Sequence, residues 1–164
     1  MYDKFGEFDS VEELNEAARG FLVEGDLKSL REFANENGLD PEDVEDYIAG
    51  DLPELATEVS AAMGKLLAEE KEIETKKTPG KMPLKIIMEM TRLILTEPEM
   101  PQAILKKGKR ITEIYELMKK VARTQKQGSV GVACGTDRQL QEIIRTYYTR
   151  GKKEAEEVIK NLYK

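Results

Sequence analysis

The side chains best placed to act on another molecule are carboxylates: Glu36, Glu42, Asp43, Glu45, Asp46 and Asp51 fall within one short stretch around PEDVEDYIAG. Such a cluster could move protons, bind a cation or recognise a basic surface. Catalysis has little else to build on. The chain has no histidine, which removes the commonest general base near neutrality, the usual triads and most zinc sites. The single cysteine, Cys134, lies in a glycine-rich stretch with no histidine to activate it. Gly128, Gly131 and Gly135 suggest a phosphate cradle, but no Gly-Lys-Ser/Thr follows them. Asp40, Glu42 and Asp46 do not reproduce the alternating ligands, central glycine and closing Glu of a calcium loop. The expectation is a non-enzymatic chain with no metal and no cofactor.

The cluster belongs to a larger asymmetry. Residues 1–75 carry 22 Asp and Glu against 6 Lys and Arg, whereas residues 76–164 carry 10 against 20. A split of this size bears on partners and steering rather than on fold. An acidic helix face suits a basic protein groove, because complementary fields speed encounter and reject wrong partners. The same face can also be no more than a solvated helix surface. The basic half offers a second reading. Lys106, Lys107, Lys109 and Arg110, then Lys119, Lys120 and Arg123, could neutralise phosphates, and Tyr147 and Tyr148 beside Arg145 could stack on bases. Against this, the cations are spread over several helices without a recognised nucleic-acid module, and Tyr147 also fits a core stripe.

The elements that must carry these residues are helices with clear punctuation. Ser10 with Glu13 predicts a capping box opening a helix over 11–24, and Gly25 suits a left-handed exit. Asp26 caps a second helix to Asn37, closed by Gly38, and Asp40-Pro41 opens a third that ends at Gly50. A fourth is predicted from about Pro53 to Glu74, with Leu55, Val59, Ala62, Met63, Leu66 and Ile73 inward. KKTPGKMP, residues 76–83, reads as a linker between an acidic lobe, 1–75, and a basic lobe, 84–164. In the second lobe, residues 84–95 predict a core helix burying Ile86, Ile87, Met90, Leu93 and Ile94, and EPEMPQ predicts a turn. A helix over 110–126 buries Ile111, Ile114, Tyr115, Met118, Val121 and Ala122, and one capped at Thr136 or Asp137 buries Leu140, Ile143, Ile144 and Tyr147. The tail's Val158, Ile159 and Leu162 can dock or fray. The fold class is therefore mainly α, a compact multi-helix bundle in two lobes, with a weak signal for a short β-hairpin at 127–135.

The stretch LREFANENGLDPEDVEDYIAG also has the small residue and turn glycine, Ala34 and Gly38, of a helix-turn-helix. Its would-be recognition helix exposes Glu42, Asp43, Glu45 and Asp46, which repel phosphates. A compact helical corner is the better reading.

FDSVEELNEAARGFLVEGDLKSLREFANENGLDPEDVEDYIAGDLPELAT, then AAMGKL, and finally GTDRQLQEIIRTYY resemble small acidic accessory proteins carried on plasmids, integrative elements and phages of Gram-positive gut bacteria. The likeness leaves residues 69–133 outside. Some such accessory proteins are similar in size and acidity to anti-CRISPR inhibitors, which bind a Cas nuclease and block its guide, target or catalytic surface. The resemblance brings no catalytic motif and assigns no residue.

Two functions therefore stand open. In the first, the chain binds and inhibits or regulates a nucleic-acid-handling protein, most specifically a Cas nuclease, through Glu36, Glu42, Asp43, Glu45, Asp46 and Asp51. In the second, it is a nucleic-acid-binding accessory protein using Lys106, Lys107, Lys109, Arg110, Lys119, Lys120 and Arg123. Oppositely charged lobes also allow self-association. MYDKFGEFDS lacks a signal peptide's basic start and apolar run, so the chain reads as cytoplasmic, with no membrane partner.

Overall fold

A computed structural model describes residues 2–75, 80–124 and 134–162. Among these residues the chain is helical throughout: α1 (Val11–Glu24), α2 (Leu27–Glu36), α3 (Pro41–Ala49), α4 (Glu58–Thr75), α5 (Lys81–Ile94), α6 (Met100–Leu105), α7 (Ile111–Thr124), α8 (Asp137–Thr149) and α9 (Lys152–Asn161). No strand occurs in the described residues. The hairpin expected at 127–135 lies outside them except for Cys134 and Gly135, which are not in a strand. The chain divides into two units, Met1–Lys76 with Pro101–Gly108, and Lys77–Met100 with Lys109–Lys164. None of the described helices is long and apolar enough to cross a membrane.

Unit 1 is built from well-capped helices. Ser10 accepts from the Glu13 N–H at the start of α1, while the Glu13 carboxylate reaches one residue further back than expected, to the Asp9 N–H at 3.0 Å. Gly25 and Gly50 close α1 and α3 in the left-handed region, as predicted. All four phenylalanines of the chain meet here. Phe33, fully buried on α2, makes ring contacts with Phe5, Phe8 and Phe21 at centroid distances of 5.6, 5.3 and 5.6 Å. The N-terminal segment is thereby packed onto α2.

The α2–α3 corner meets α4 backbone to backbone. A Cβ built on Gly38 would lie 2.3 Å from the Gly64 carbonyl oxygen, and one built on Gly64 would lie 2.4 Å from the Asn37 oxygen. Gly38 additionally has φ 69°, so both its space and its conformation require glycine. α4 itself starts later than predicted. Leu55 and Ala56 are buried in an extended approach, where Asn15 donates to the Ala56 carbonyl at 2.8 Å and accepts from its N–H at 3.0 Å. With both backbone groups of Ala56 engaged by a side chain, no helical ladder forms there. Thr57 and Ser60 then cap α4 reciprocally. Val59, placed inward by the periodicity, is exposed.

A buried lysine joins the remaining piece of unit 1. Lys65 is 2 % exposed, and its ammonium donates to the Leu105 and Lys106 carbonyls at 3.2 and 2.8 Å and pairs with Glu7 at 2.7 Å. It thus caps the C-terminal end of α6, where the helix dipole favours a cation. Asp9 and Glu7 accept from the Lys107 and Gly108 N–H groups at 2.8 and 3.2 Å. EPEMPQ, expected to be only a turn, supplies the first residues of α6.

Unit 2 packs α5 against α7 and α8, and α9 against the same two helices. Its core includes Leu84, Ile87, Met88, Ile111, Ile114, Ile143, Ile144 and Tyr147. Arg145 on α8 grips Glu97 through two bonds of 2.7 and 2.8 Å. The tail docks: Ala155 and Ile159 are fully buried, and Val158 and Leu162 are half-buried. Glu156 sits 2.7 Å from Lys160 and 2.9 Å from Lys120, and these bonds, Lys160's first, draw its carboxyl down to about 2. A depressed carboxylate stabilises the fold above its ordinary value of 4.5 and loses that contribution as pH falls toward about 2.

Two expectations for this unit change. Residues 81–83, read as linker, form the first turn of α5, and residues 76–79 lie outside the described residues. α5 is also rotated relative to its predicted stripe. Leu84, Met88 and Thr91 are buried with Ile87 and Ile94, whereas Ile86 and Leu93 are 46 % and 66 % exposed. α5 is apolar on most sides, so periodicity alone did not fix which side faces the core. On α7, likewise, Leu117 is buried, while Tyr115, Met118 and Ala122 are only half-buried.

Gly64→Ala is expected to lower stability by about 1–3 kcal/mol in urea unfolding, despite alanine's better helix propensity, because its methyl meets backbone. Gly20→Ala, in an open position on α1, is expected to raise it by up to about 1 kcal/mol. For α5, Ile87→Ala should cost about 2–5 kcal/mol, whereas Leu93→Lys should stay within about 0.5 kcal/mol by the same measurement.

Candidate protein-docking face

The acidic stretch is displayed by α3, and its geometry follows from its ends and its buried side. Asp40 caps the helix by accepting from the Glu42 N–H at 2.9 Å, and Pro41 occupies the first helical position. Val44 and Tyr47 are buried. With those two facing inward, helical spacing sends Glu42, Glu45 and Asp46 outward, and all three are exposed. Asp43 is half-buried at the edge and Asp51 is exposed just beyond the helix.

The six predicted carboxylates do different work. Glu36 accepts from the backbone N–H groups of Lys4 and Phe5 at 3.0 and 2.9 Å, so it holds the N-terminal segment rather than facing a partner. Glu45 binds the Arg31 guanidinium through bonds of 2.6 and 2.8 Å, and that bond holds its carboxyl below the usual range. Among the described residues no ion pair engages Glu42, Asp43, Asp46 or Asp51. These four form the outward charge. The last turn of α3 holds no basic residue, so Asp46 there opposes the helix dipole.

Two hollows adjoin this helix. A groove of about 590 Å³ is lined by Phe5, Glu36, Leu39, Pro41, Leu67 and Ala68 among others, and a smaller one of about 230 Å³ by Arg31, Ala34, Leu39, Pro41, Val44 and Glu45. Asn35, Leu39 and Pro41 border both. The smaller hollow lies inside the α2–α3 corner that resembles a helix-turn-helix. Ala34, 1 % exposed, allows the close approach of the two helices, while the outer side of α3 presents carboxylates.

The candidate basic residues are divided between the two units. Lys106 and Lys107 belong to unit 1 and Lys109, Arg110, Lys119, Lys120 and Arg123 to unit 2. Lys107 pairs with Glu13 at 3.5 Å, Lys119 with Glu116 at 3.0 Å and Lys120 with Glu156 at 2.9 Å. Lys109 donates to the Tyr147 carbonyl at 2.8 Å and lies 4.8 Å from the centre of its ring. Tyr147 and Tyr148 are each 1 % exposed and stack edge-on at 5.1 Å, with the Tyr147 hydroxyl donating to Glu113 at 2.5 Å. They belong to the core and offer no platform for bases.

Burial, then the nearby Asp137, push the Cys134 thiol up, away from a nucleophilic thiolate. Gly128 and Gly131 lie outside the described residues, and no group of three potential ligands is placed to hold a metal among the described ones. No protein-family model matches the chain, and searches of curated proteins and of solved structures return no match.

Spacing was enough to find the outward carboxylates of α3. It could not reveal that Glu36 and Glu45 are engaged, because their partners stand 31 and 14 residues away. The larger hollow was missed for the same reason: Leu67, Ala68, Lys71, Glu72 and Thr75 of α4 form part of its wall, and α4 meets the end of α2 at two glycines far apart in sequence.

Arg31→Met should release Glu45. Its titration, followed by carboxylate NMR, is expected to move up toward an ordinary glutamate.

Proposed function

We propose that the chain is a non-enzymatic interaction protein that binds a basic surface of a nucleic-acid-handling protein and inhibits or regulates it. The observation that carries this reading is the outer side of α3, where Glu42, Asp43, Asp46 and Asp51 stand without an internal cation on a helix whose Pro41 borders two hollows. The four like charges repel one another and Asp46, in the last turn, also opposes the helix dipole, although the dipole favours Glu42 and Asp43 in the first turn; a positive surface laid over them would relieve that repulsion. Unit 1 as a whole holds 22 acidic against 9 basic residues, a field that would steer a basic groove toward it.

The specific form of the proposal is an anti-CRISPR inhibitor. Residues 8–57, 61–66 and 135–148 resemble acidic accessory proteins of mobile elements, and a Cas nuclease offers basic channels for guide and target that an acidic helix could occupy. Direct nucleic-acid binding is less favoured, because many of the candidate cations already have carboxylate, carbonyl or ring partners.

Co-expression with a Cas effector and a matching guide is expected to protect a targeted plasmid from interference. Asp43→Lys with Asp46→Lys should abolish protection, by slowing association roughly tenfold or more at low salt while circular dichroism stays unchanged. Absence of protection against every effector tested, or tight binding of duplex DNA that survives this double reversal, would falsify the reading.

A further inference from the structure

The outward carboxylates of α3 supply charge but no apolar anchor, and the groove beside them supplies the opposite. Its wall includes Leu67, which is 43 % exposed, together with Leu39, Pro41 and Ala68. Exposed apolar side chains lining a concave, preformed space mark a place where other apolar groups insert. The groove exists because of how the corner is built. Gly38 and Gly64 bring the end of α2 into backbone contact with α4, and beyond that contact the two walls part.

We propose that this groove receives the apolar side chains of a cationic amphipathic helix belonging to the partner, whose lysines and arginines lie over the carboxylates of α3. This inference rests on the docking reading above and specifies its partner. Three features argue for that occupant. The groove volume, about 590 Å³, is large enough for several aliphatic side chains and falls within the usual range of binding clefts. The smaller hollow shares Asn35, Leu39 and Pro41 with it, so apolar sockets lie on both sides of one ridge, as suits a helix inserting successive anchors. The surrounding charge selects the sign: Asp3, Glu32, Glu36 and Glu72 outnumber Lys4, which pairs with Glu32, and Lys71 around the groove, in a unit with 13 more acidic than basic residues, so a cationic helix is favoured over an acidic one or an anionic lipid surface.

A synthetic helix of leucine at i, i+3 and i+4 spacing with lysine elsewhere tests this, against a scrambled peptide of the same composition and a leucine–glutamate analogue. Fluorescence anisotropy should give a micromolar Kd for the leucine–lysine helix and at least tenfold weaker binding for the other two. Methyl NMR shifts should centre on Leu39, Leu67 and Ala68. Ala68→Trp, which fills the groove, and Leu67→Arg, which charges it, should each weaken binding at least tenfold with the salt dependence intact, in proteins whose circular dichroism is unchanged. Asp43→Lys with Asp46→Lys should instead reduce the salt dependence.

Equal binding of the scrambled peptide, or indifference to both groove variants while the aspartate reversal abolishes binding, would overturn the groove inference and leave the docking face standing. Loss of binding in the groove variants with none in the aspartate reversal would overturn the acidic docking reading and spare the groove. A mass that doubles with concentration and returns to monomer in Leu67→Arg would identify a second copy as the occupant, overturning the assignment to a partner helix.

Discussion

The contact on which unit 1 depends is the meeting of two backbones at Gly38 and Gly64, with no side chain between them. It fixes how closely the end of α2 approaches α4. The corner that follows then has one way to run: Leu39 turns inward, Asp40 caps and α3 leaves with Val44 and Tyr47 facing the core. The outward direction of Glu42 and Asp46 is thus set at a glycine pair that carries no charge. Dispersion over such a close contact is large because both backbones fit without a void. The aromatic cluster around Phe33 holds the other side of α2, so the helix is fixed on both flanks.

Electrostatics play a different part in each unit. In unit 2 Arg145 ties α8 to Glu97 in the segment after α5, and Lys120 ties α7 to Glu156 on α9, where Lys160 of the same helix also pairs with it, so charge there serves cohesion. In unit 1 several carboxylates serve backbone instead: Glu36, Glu13, Asp9 and Glu7 each accept from main-chain N–H groups. None of α1 to α4 carries a basic residue in its last turn, so the negative field is not relieved at the helix ends.

The helices of unit 1 were legible because each has its own local signal. Ser10, Asp26 and Asp40 sit where a side-chain acceptor is needed, and Gly25 and Gly50 where the chain turns left-handed. The start of α4 was not legible, since Asn15 decides it from 41 residues away. Nor was the orientation of α5. Ile86, Ile87, Met88 and Met90 are apolar on nearly every side, and only packing against α7 and α8 distinguishes Met88, buried, from Ile86, exposed. For the docking face, the outward acids of α3 followed from spacing. The engagement of Glu36, the larger hollow and the buried Lys65 did not, because each depends on a contact between distant segments.

Lys65 also bears on how the chain comes together during synthesis. Its ammonium is buried against Glu7, already made, and against carbonyls that lie 40 and 41 residues further on, so when α4 leaves the ribosome those two acceptors have not been made. Until residues 101–108 follow, the nascent unit either keeps this lysine in water or lacks a proper cover for it. The stretch that makes most of unit 2's first helix is translated in between. Closure of unit 1 is thereby tied to the emergence of its neighbour, and a fragment ending near residue 76 would keep Glu7 but lack the two carbonyls that complete the setting of the buried Lys65.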